Sequence, residues 1–460
     1  MRQGRSGGRG AILAPATAAF LLLLAGQAAR AADPDGFWTR PTLLGDPAGL
    51  RAALADHGVV FGLTETSEVF GNVSGGIHRG ADYDGLTTLG LDIDTAKAGG
   101  WAGGRLHASA LQIHGRSLSA DNLATLQTAS GIEASDTTRL WELWYQQAIP
   151  GGAVDLRIGQ QSIDNEFITS RGSGLFINTM MGWPMLPSAD LYAGGPAYPL
   201  SSLGARLRAR PVPGLTVLAG VFDDNPPGGR FAADGQLRGR EADGLAFSLN
   251  TGALWIMELQ FRLRPGNGLS GTYKLGFWYD SGSFPDQRVD NTGRSLADPA
   301  STGQALMHRG NGSVYAVADQ TVWRPAPRGA RAIDLFARVM AAPADRNLIS
   351  FSANAGVTLG APFPGRDDDT LGFGLGIARV SPAAAALDRD TAAFSGGFTP
   401  VRGTEIFLEL TYQAQITPWW QVQPDFQYVF HPGGGIADPA APGRVVGDEA
   451  VFGVRTVVTF

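Results

Sequence analysis

The chain has 460 residues, no cysteine and a formal net charge of −6 at pH 7. Charged residues make up 17 % of it, below the roughly 25 % of soluble domains, while glycine occurs 64 times. This composition excludes a disulfide-stabilised scaffold, disfavours nucleic acid as a partner, and is too rich in aromatic residues for a disordered chain.

Residues 1–31 are predicted to be a secretory signal peptide. Arg2, Arg5 and Arg9 form a basic start, residues 11–25 are apolar, and Ala29-Arg30-Ala31 fits cleavage after Ala31. The apolar run is shorter than the roughly 20 residues that a membrane-spanning helix needs, which argues against a membrane anchor. Cleavage would remove four arginines and no acid, so the mature chain would be more acidic still.

Residues 32–58 are predicted to form a periplasmic segment with one short helix, ahead of a β-barrel over residues 59–460. Asp46 is a candidate N-cap and Pro47 suits the first helical position. The helix is expected over residues 47–56, and Gly58 is expected to end it.

Alternation of apolar and polar residues dominates the rest of the chain, most clearly over residues 253–264, 271–280, 405–413 and 419–430. The apolar face of the last stretch consists of Trp420, Val422, Pro424, Phe426, Tyr428 and Phe430. Alternation over about ten residues is typical of transmembrane barrel strands, which face lipid on one side and water on the other. A soluble sandwich also alternates, but aromatic residues near the strand ends and charges on the polar faces favour the membrane barrel.

The connections between these stretches alternate in length, as expected for short periplasmic turns and long extracellular loops. The short ones are residues 150–152, 211–213, 265–268, 325–329, 361–366 and 417–418. The long ones are residues 116–136, 163–200, 224–242, 281–311, 381–402 and 431–447. Treating residues 244–264 as one strand keeps this order and gives about sixteen antiparallel strands, with eighteen left open. The alternating strand that ends in Phe460 resembles the assembly signal of outer-membrane proteins.

Several motifs resemble those of the carbohydrate-selective porins of the OprB type. The resemblance covers nearly the whole mature chain and rests on Leu44-Gly45-Asp46, GNVSGG (71–76), HASALQIHGRSLSADNLATLQTASGIEASDTTRLWELWYQQ (107–147), RIGQQSIDNEF (157–167), FINTMMGWPMLPSADLYAGGPAYPLSSLGARLRARP (176–211), ARVMAAPADRNLISF (337–351) and PGRDDDTLGFGLG (364–376). It implies a sixteen-stranded porin in a Gram-negative outer membrane that admits small neutral sugars, such as glucose, by facilitated diffusion. The resemblance leaves both a monomer and a homotrimer open.

A pore for sugars needs aromatic surfaces with polar groups between them, and binding weak enough to release the solute. The long segment 163–200 is the predicted constriction because long loops without secondary structure are usually functional or disordered, and its aromatic and methionine content argues against disorder. Its candidate pore residues are Asp164, Asn165, Glu166, Arg171, Asn178, Trp183, Asp190 and Tyr192. The alternative is an outer cap or a subunit contact made from the same residues.

The strands beside this segment supply further candidate pore residues. Arg206, Arg208 and Arg210 share one face, and each would cost about 2–4 kcal/mol at the midplane if that face met lipid. They are therefore expected in the lumen. The other lumen candidates are Glu142, Trp144, Arg157 and Gln161. Arg139 shares its parity with the apolar residues Trp141, Leu143 and Tyr145, so we expect it at the rim.

No cofactor or metal is expected. His107 and His114 lie on opposite strand faces, Asp367 to Asp369 fit an acidic turn better than a calcium site, and Gly372, Gly374 and Gly376 fit a barrel strand better than a dinucleotide loop. Three rival functions remain: a general or anion-preferring diffusion porin, a non-conducting structural barrel, and an outer-membrane hydrolase.

Overall fold

The computed structural model describes residues 36–226, 243–245, 249, 251–266, 268–327 and 329–460, so the predicted signal peptide and most of the 224–242 loop lie outside the described residues. The described part of the chain forms sixteen strands. They are β1 (Val59–Ser74), β2 (Ala81–Asp94), β3 (Gly104–Gly115), β4 (Thr137–Ala148), β5 (Val154–Gln161), β6 (Ser202–Val212), β7 (Leu215–Asp223), β8 (Ala253–Leu263), β9 (Gly271–Asp290), β10 (Ala305–Trp323), β11 (Ala332–Ala341), β12 (Ile349–Gly360), β13 (Thr370–Val380), β14 (Thr404–Thr417), β15 (Trp420–Phe430) and β16 (Glu449–Thr459).

These strands form one closed antiparallel barrel, in which each strand pairs with the next and β1 pairs with β16. Closure leaves no sheet edge with unpaired backbone groups, which is what a bilayer demands of a β-structure. The backbone N–H of Phe460 adds a final bond to Leu63 O at 2.9 Å. The prediction of sixteen antiparallel strands is confirmed.

The helices are short; those before Val59 precede the barrel, and the others lie in the connections between strands. The α-helices are Leu50–Asp56, Thr95–Gly99, Thr179–Gly182, Met185–Asp190 and Pro382–Ser395, and further single turns are Pro47–Gly49, Ser119–Leu123, Ser173–Leu175, Tyr192–Gly194 and Pro432–Gly434. None of the helices in the described ranges is long and apolar enough to cross a membrane. The long connections all leave the same end of the barrel, called here the loop end, together with the short connections 75–80 and 342–348. The opposite end, called here the turn end, carries short connections alone.

The two faces of the strands have opposite character, as the alternation predicts. On β15, Asp425 and Gln427 point inward and are buried, while Phe426 and Tyr428 point outward. On β9, Leu275 and the other outward side chains are exposed on the barrel surface, where Leu275 keeps 58 % of its area accessible. A continuous apolar outer wall of this kind is what lipid contact requires, and a soluble sandwich would bury it.

Three predicted boundaries were wrong. The first helix begins at Leu50 because Ala48 (φ 57°) and Gly49 (φ 72°) are left-handed, although the Asp46 carboxylate still accepts a bond from Arg51 N at 2.7 Å. The predicted loop 281–311 is instead strand to Asp290 and again from Ala305, because register shifts in the β9–β10 ladder break the alternation there. Strand β8 begins at Ala253 rather than at residue 244.

Glycines on the inner wall make room for aromatic rings from neighbouring elements. A Cβ built on Gly376 would lie 2.0 Å from Phe407 Cε1 on the adjacent strand, and one on Gly374 would lie 2.8 Å from Phe176 Cε1 of the 163–200 segment. The prediction that these glycines belong to a barrel strand is confirmed by β13.

Replacing Gly376 with valine is expected to destabilise the barrel by about 1–3 kcal/mol, because the added methyl groups overpack a close-packed wall. The temperature at which the folded barrel loses its faster migration in detergent electrophoresis should fall. Gly266→Val is the matched control, since a Cβ at Gly266 meets nothing within 4 Å. Equal midpoints for the two variants would contradict the overpacking argument.

Candidate functional site

The 163–200 segment lies inside the barrel. Its apolar side chains, among them Phe167, Met181 and Leu186, form one buried cluster with inward residues of the wall from β7 to β15, such as Trp278 and Phe407. This cluster contains no residue of β1 to β6. The apolar side chains of the segment therefore pack mainly against β7 to β15, while Ile177 joins a second cluster with Phe70 of β1 and Val451 of β16.

Arg338 on β11 fixes the middle of this segment. Its guanidinium, almost completely buried, donates hydrogen bonds to the carbonyl oxygens of Met180 (2.7 Å), Met181 (2.8 Å) and Gly182 (2.8 Å). These carbonyls end the short helix Thr179–Gly182, where a cation is favourable.

Carboxylates on other strands fix the segment through its backbone amides. Glu258 accepts from Ile168 N at 2.8 Å, Asp319 from Gly172 N at 3.0 Å, and Glu409 from Ile177 N at 2.6 Å. Glu405 accepts in the same way from Leu126 N and Gln127 N of the 116–136 loop, both at 2.8 Å.

Sequence reasoning missed these anchors. The sequence does place Glu258, Glu405 and Glu409 on the polar faces of the alternating strands, which indicates that they point into the barrel. A buried ionised group must find partners, but alternation does not say which backbone amides those are.

Four charged residues cluster where the segment meets the inner wall of β5 and β6, and they are called here the arginine eyelet: Arg157, Glu166, Arg206 and Arg208. Arg206 is completely buried; it pairs with Asp155, and its Nε lies 2.6 Å from Glu166 Oε2. Arg157 Nη2 lies 3.5 Å from Glu166 Oε1, and Arg208 Nε lies 2.7 Å from Asp155 Oδ2. Cross-strand register makes this possible, since Arg157 is opposite Arg206 and Asp155 is opposite Arg208.

Trp144 supports the eyelet from β4. The Arg157 guanidinium carbon lies 3.9 Å from the centre of the Trp144 ring, and His107 stacks on that ring at 4.8 Å. His107 Nδ1 lies 2.9 Å from Asp92 Oδ1. A guanidinium at this distance from an aromatic ring is attracted to it by about 0.5–2 kcal/mol, which favours this position of Arg157.

Arg139 does not lie at the rim, as its parity predicted, but points inward and is buried. The reason is a β-bulge: Ser109 pairs with Glu142 and Ala110 with Leu140, which leaves Trp141 as the extra residue. The extra residue shifts the alternation by one position, so Arg139 joins the inner face. Trp141 itself donates through Nε1 to Leu200 O at 3.3 Å instead of lying with Leu143 on the lipid face.

The structure separates the remaining candidate residues into two groups. Asn165 is exposed beside the eyelet, and Arg171, paired with Asp334, and Arg210 are exposed toward the turn end. Glu142 lies on the inner wall and accepts a bond from Ser162 N at 3.0 Å.

The remaining candidates were predicted to line the pore, and this prediction requires a correction. They are enclosed between the segment and the barrel wall, where they hold the constriction in place. Gln161 donates to Gly204 O at 3.0 Å, Asn178 to Gln427 Oε1 at 3.0 Å, Trp183 to Gly194 O at 2.8 Å and Tyr192 to Ser283 O at 2.7 Å, while Asp164 accepts from Tyr198 N at 3.0 Å and Asp190 from Ile349 N at 3.2 Å.

Burial raises the pKa of the two enclosed carboxyl groups of the segment. The Asp164 pKa is raised although hydrogen bonds from Ser162 and Tyr198 oppose the shift. The Asp190 pKa is raised well above its ordinary value, with backbone bonds from Ile349 and Leu348 opposing.

Comparison with known proteins places the chain among porins. The model of the carbohydrate-selective porin, OprB family, matches residues 78–460. Porin B of Pseudomonas aeruginosa is 26 % identical over 432 residues, which are 89 % of this chain and 90 % of that protein. The putative porin QuiX of Acinetobacter baylyi is 24 % identical over 422 residues, 86 % of this chain and 90 % of that protein.

A solved structure shares the fold over almost the whole length. The high-pH structure of OprB from Pseudomonas putida superposes with a TM-score of 0.81 at 26 % identity, covering 93 % of this chain and all of that one. The low-pH structure of the same protein gives a TM-score of 0.57 at 20 % identity and agrees in fold.

Proposed function

The chain belongs to the carbohydrate-selective porin family of the OprB type, and from that premise we propose that sugars cross the outer membrane through the arginine eyelet. The protein is a sugar-selective porin of the Gram-negative outer membrane, a channel rather than an enzyme. The turn end would face the periplasm, as short turns do in such barrels. The observation that carries the proposal is the apolar packing of the 163–200 segment mainly against β7 to β15, while its Glu166 meets the charged wall of β5 and β6.

The charge balance of the eyelet suits a neutral solute. The three arginines of the eyelet, Arg157, Arg206 and Arg208, face its own Glu166 and two adjacent carboxylates, Glu142 and Asp155. The paired groups create local dipoles without a large net charge. The wall therefore offers N–H donors and carboxylate acceptors to hydroxyl groups and gives little advantage to either sign of ion.

The geometry also favours weak binding. Ion pairs already hold the guanidinium groups in place, so a sugar pays no cost for ordering them. A guanidinium that shares its donors between a carboxylate and a hydroxyl group releases the hydroxyl easily. Rapid release is what conduction needs.

Replacing Trp144 with alanine tests the proposal. Arg157 would lose its platform, and the concentration of glucose that half-blocks the ion current should rise about fivefold to thirtyfold, the equivalent of roughly 1–2 kcal/mol. Trp144→Phe keeps a flat ring and should restore most of the block. Single-channel recording in planar bilayers measures both.

Trp255→Ala is the matched control, because Trp255 lies on the lipid face of β8 with 52 % of its area exposed. It should leave glucose block unchanged. Equal block in Trp144→Ala and in the unmodified protein would show that sugars do not pass the eyelet as proposed.

A further inference from the structure

Two buried aspartates meet where β7 and β8 reach the loop end of the barrel. Asp224 directly follows β7, and Asp280 lies on β9 opposite Leu254 of β8. Both aspartate side chains are completely buried, and their carboxyl groups lie within hydrogen-bonding distance of each other. These two residues are called here the aspartate pair.

The aspartate pair has no cationic partner in the part of the chain that the structure describes. The charged groups that act on Asp280 are Asp224 and Asp223, and neither member of the pair forms an ion pair with a described residue. Asp224 Oδ2 and Asp280 Oδ2 also have no hydrogen-bond partner among the described residues. A buried carboxylate is costly unless it is paired or binds a metal ion, so the aspartate pair requires a cation.

A shared proton would relieve the repulsion within the aspartate pair only in part. The proton would bridge one oxygen of each residue and leave one negative charge completely buried, with the carboxyl group of Asp223 nearby. A divalent cation balances the charge of both carboxylates at once. The two explanations predict different responses of the protein to added metal ions.

Two glycines leave room for an ion beside the aspartate pair. A Cβ built on Gly282 would lie 2.9 Å from Asp224 Oδ2 and 3.0 Å from Asp280 Oδ1, and one built on Gly252 would collide with Asp224 Oδ2. Any larger residue at either position would fill the space next to the carboxylates. The glycines and the unpartnered oxygens are therefore separate observations that point to the same ligand.

The oxygen atoms around the aspartate pair suit calcium. No group of three or more His, Asp or Glu residues in the described ranges surrounds a metal position, so the other ligands of an ion here are neutral oxygens. Thr251 Oγ1, 2.5 Å from Asp224 Oδ1, and the buried carboxamide of Asn225 are such oxygens. Calcium takes about six to eight oxygen ligands in flexible geometry, including carboxamide and backbone carbonyl groups. Magnesium keeps several waters, for which a completely buried pair leaves little room.

We propose that the aspartate pair binds one calcium ion, with Asp224 and Asp280 as its charged ligands. The ion ties the end of β7 to β9 beside Tyr192, whose hydroxyl donates to Ser283 O at 2.7 Å and so holds the 163–200 segment. Calcium therefore stabilises the loop end of the barrel where this segment is anchored. The inference is independent of sugar passage through the eyelet, because glucose block tests the one and metal binding tests the other.

The first test is the unfolding temperature of the protein in non-ionic detergent, followed by circular dichroism, with urea added to bring the transition into range. After chelation with EGTA, about 10 mM calcium, which exceeds the dissociation constants of typical extracellular calcium sites, should raise the midpoint by about 3–8 °C. The reason is mass action, since an ion that binds only the folded state stabilises it. Magnesium at the same concentration should give a clearly smaller shift.

Matched variants locate the bound ion. Asp224→Asn/Asp280→Asn keeps the shape of both side chains, so its midpoint should not respond to calcium. In EGTA it should unfold at or above the temperature of the unmodified protein, because the repulsion between the carboxylates is gone. Asp367→Asn/Asp368→Asn removes two exposed acids from the turn end and should keep the full calcium response.

Terbium luminescence gives a readout that does not depend on stability. Tb³⁺ replaces Ca²⁺ at oxygen sites and emits when a nearby aromatic ring is excited, and Tyr192 Cε2 lies 2.9 Å from the position of a Cβ built on Gly282. The unmodified protein should bind one terbium ion with emission that calcium displaces, and Asp224→Asn/Asp280→Asn should lose this emission.

Two results would overturn the proposal. Equal midpoints of the unmodified protein in EGTA and in calcium, without displaceable terbium emission, would mean that the aspartate pair holds a shared proton only. A calcium response and terbium emission in Asp224→Asn/Asp280→Asn equal to those of the unmodified protein would place the bound ion elsewhere.

Discussion

Replacing Arg338 with methionine is expected to raise the single-channel conductance roughly severalfold and to abolish sugar block. The guanidinium is the hydrogen-bond donor for three consecutive carbonyl groups, those of Met180, Met181 and Gly182. Methionine would leave these groups buried and unsatisfied, at a cost of about 1–3 kcal/mol each. We then expect the 163–200 segment to leave its position in the lumen, because water at the loop end can donate hydrogen bonds to the same carbonyl groups.

The measurement is the conductance of single channels in planar bilayers, with folding checked by migration in detergent electrophoresis. Arg338→Lys keeps the charge but can reach fewer acceptors at once, so an intermediate conductance is expected. Arg309→Met, an exposed loop-end arginine, is the control and should change nothing. A folded Arg338→Met channel with unchanged conductance and block would show that the segment does not define the pore.

Replacing Arg206 with methionine should make the pore strongly cation-selective and weaken sugar block. Arg206 is completely buried between Asp155 and Glu166, and breaking such a pair by removing one partner costs about 3–5 kcal/mol. The freed Glu166 would turn toward water in the lumen. The eyelet together with the adjacent Glu142 and Asp155 would then hold two arginines against three carboxylates, and this wall would attract cations.

Reversal potentials across a potassium chloride gradient measure the change in selectivity. The double variant Arg206→Met/Asp155→Asn restores the charge balance and should recover most of the original selectivity. Arg379→Met removes an exposed arginine from the outer face of β13 and should have no effect. Unaltered selectivity in a folded Arg206→Met channel would show that this arginine does not set the charge of the lumen wall.

The parts of the fold that the sequence predicts are those governed by alternation. A strand between lipid and water must repeat every two residues, so β15 and β8 are visible in the pattern of Trp420 to Phe430 and of Trp255 to Leu263. The inward placement of Arg206 and Arg208 follows from the same rule. The register that brings them to Asp155 does not, since it depends on pairing between strands.

The alternation of apolar and polar residues does not predict side-chain orientation where the backbone departs from a regular hydrogen-bonded ladder. The bulge at Trp141 moved Arg139 to the inner face, and the left-handed backbone at Ala48 delayed the first helix. The 163–200 segment has no regular alternation of apolar and polar residues. The sequence therefore does not distinguish exposed Asn165 from enclosed Asn178. Their difference arises from long-range contacts, such as the bond of Asn178 to Gln427 on β15.

The most direct test of a narrow, sugar-binding eyelet is the current through the unmodified channel during a titration with glucose. Potassium current should fall along a saturating curve, because each bound sugar occupies the part of the lumen beside Arg157, Glu166 and Arg208 that ions also use. Glycerol at matched viscosity supplies the control and should reduce the current only in proportion to bulk conductivity. A glucose titration in which the current falls only as much as it does with glycerol would contradict the proposal that sugars bind at the eyelet.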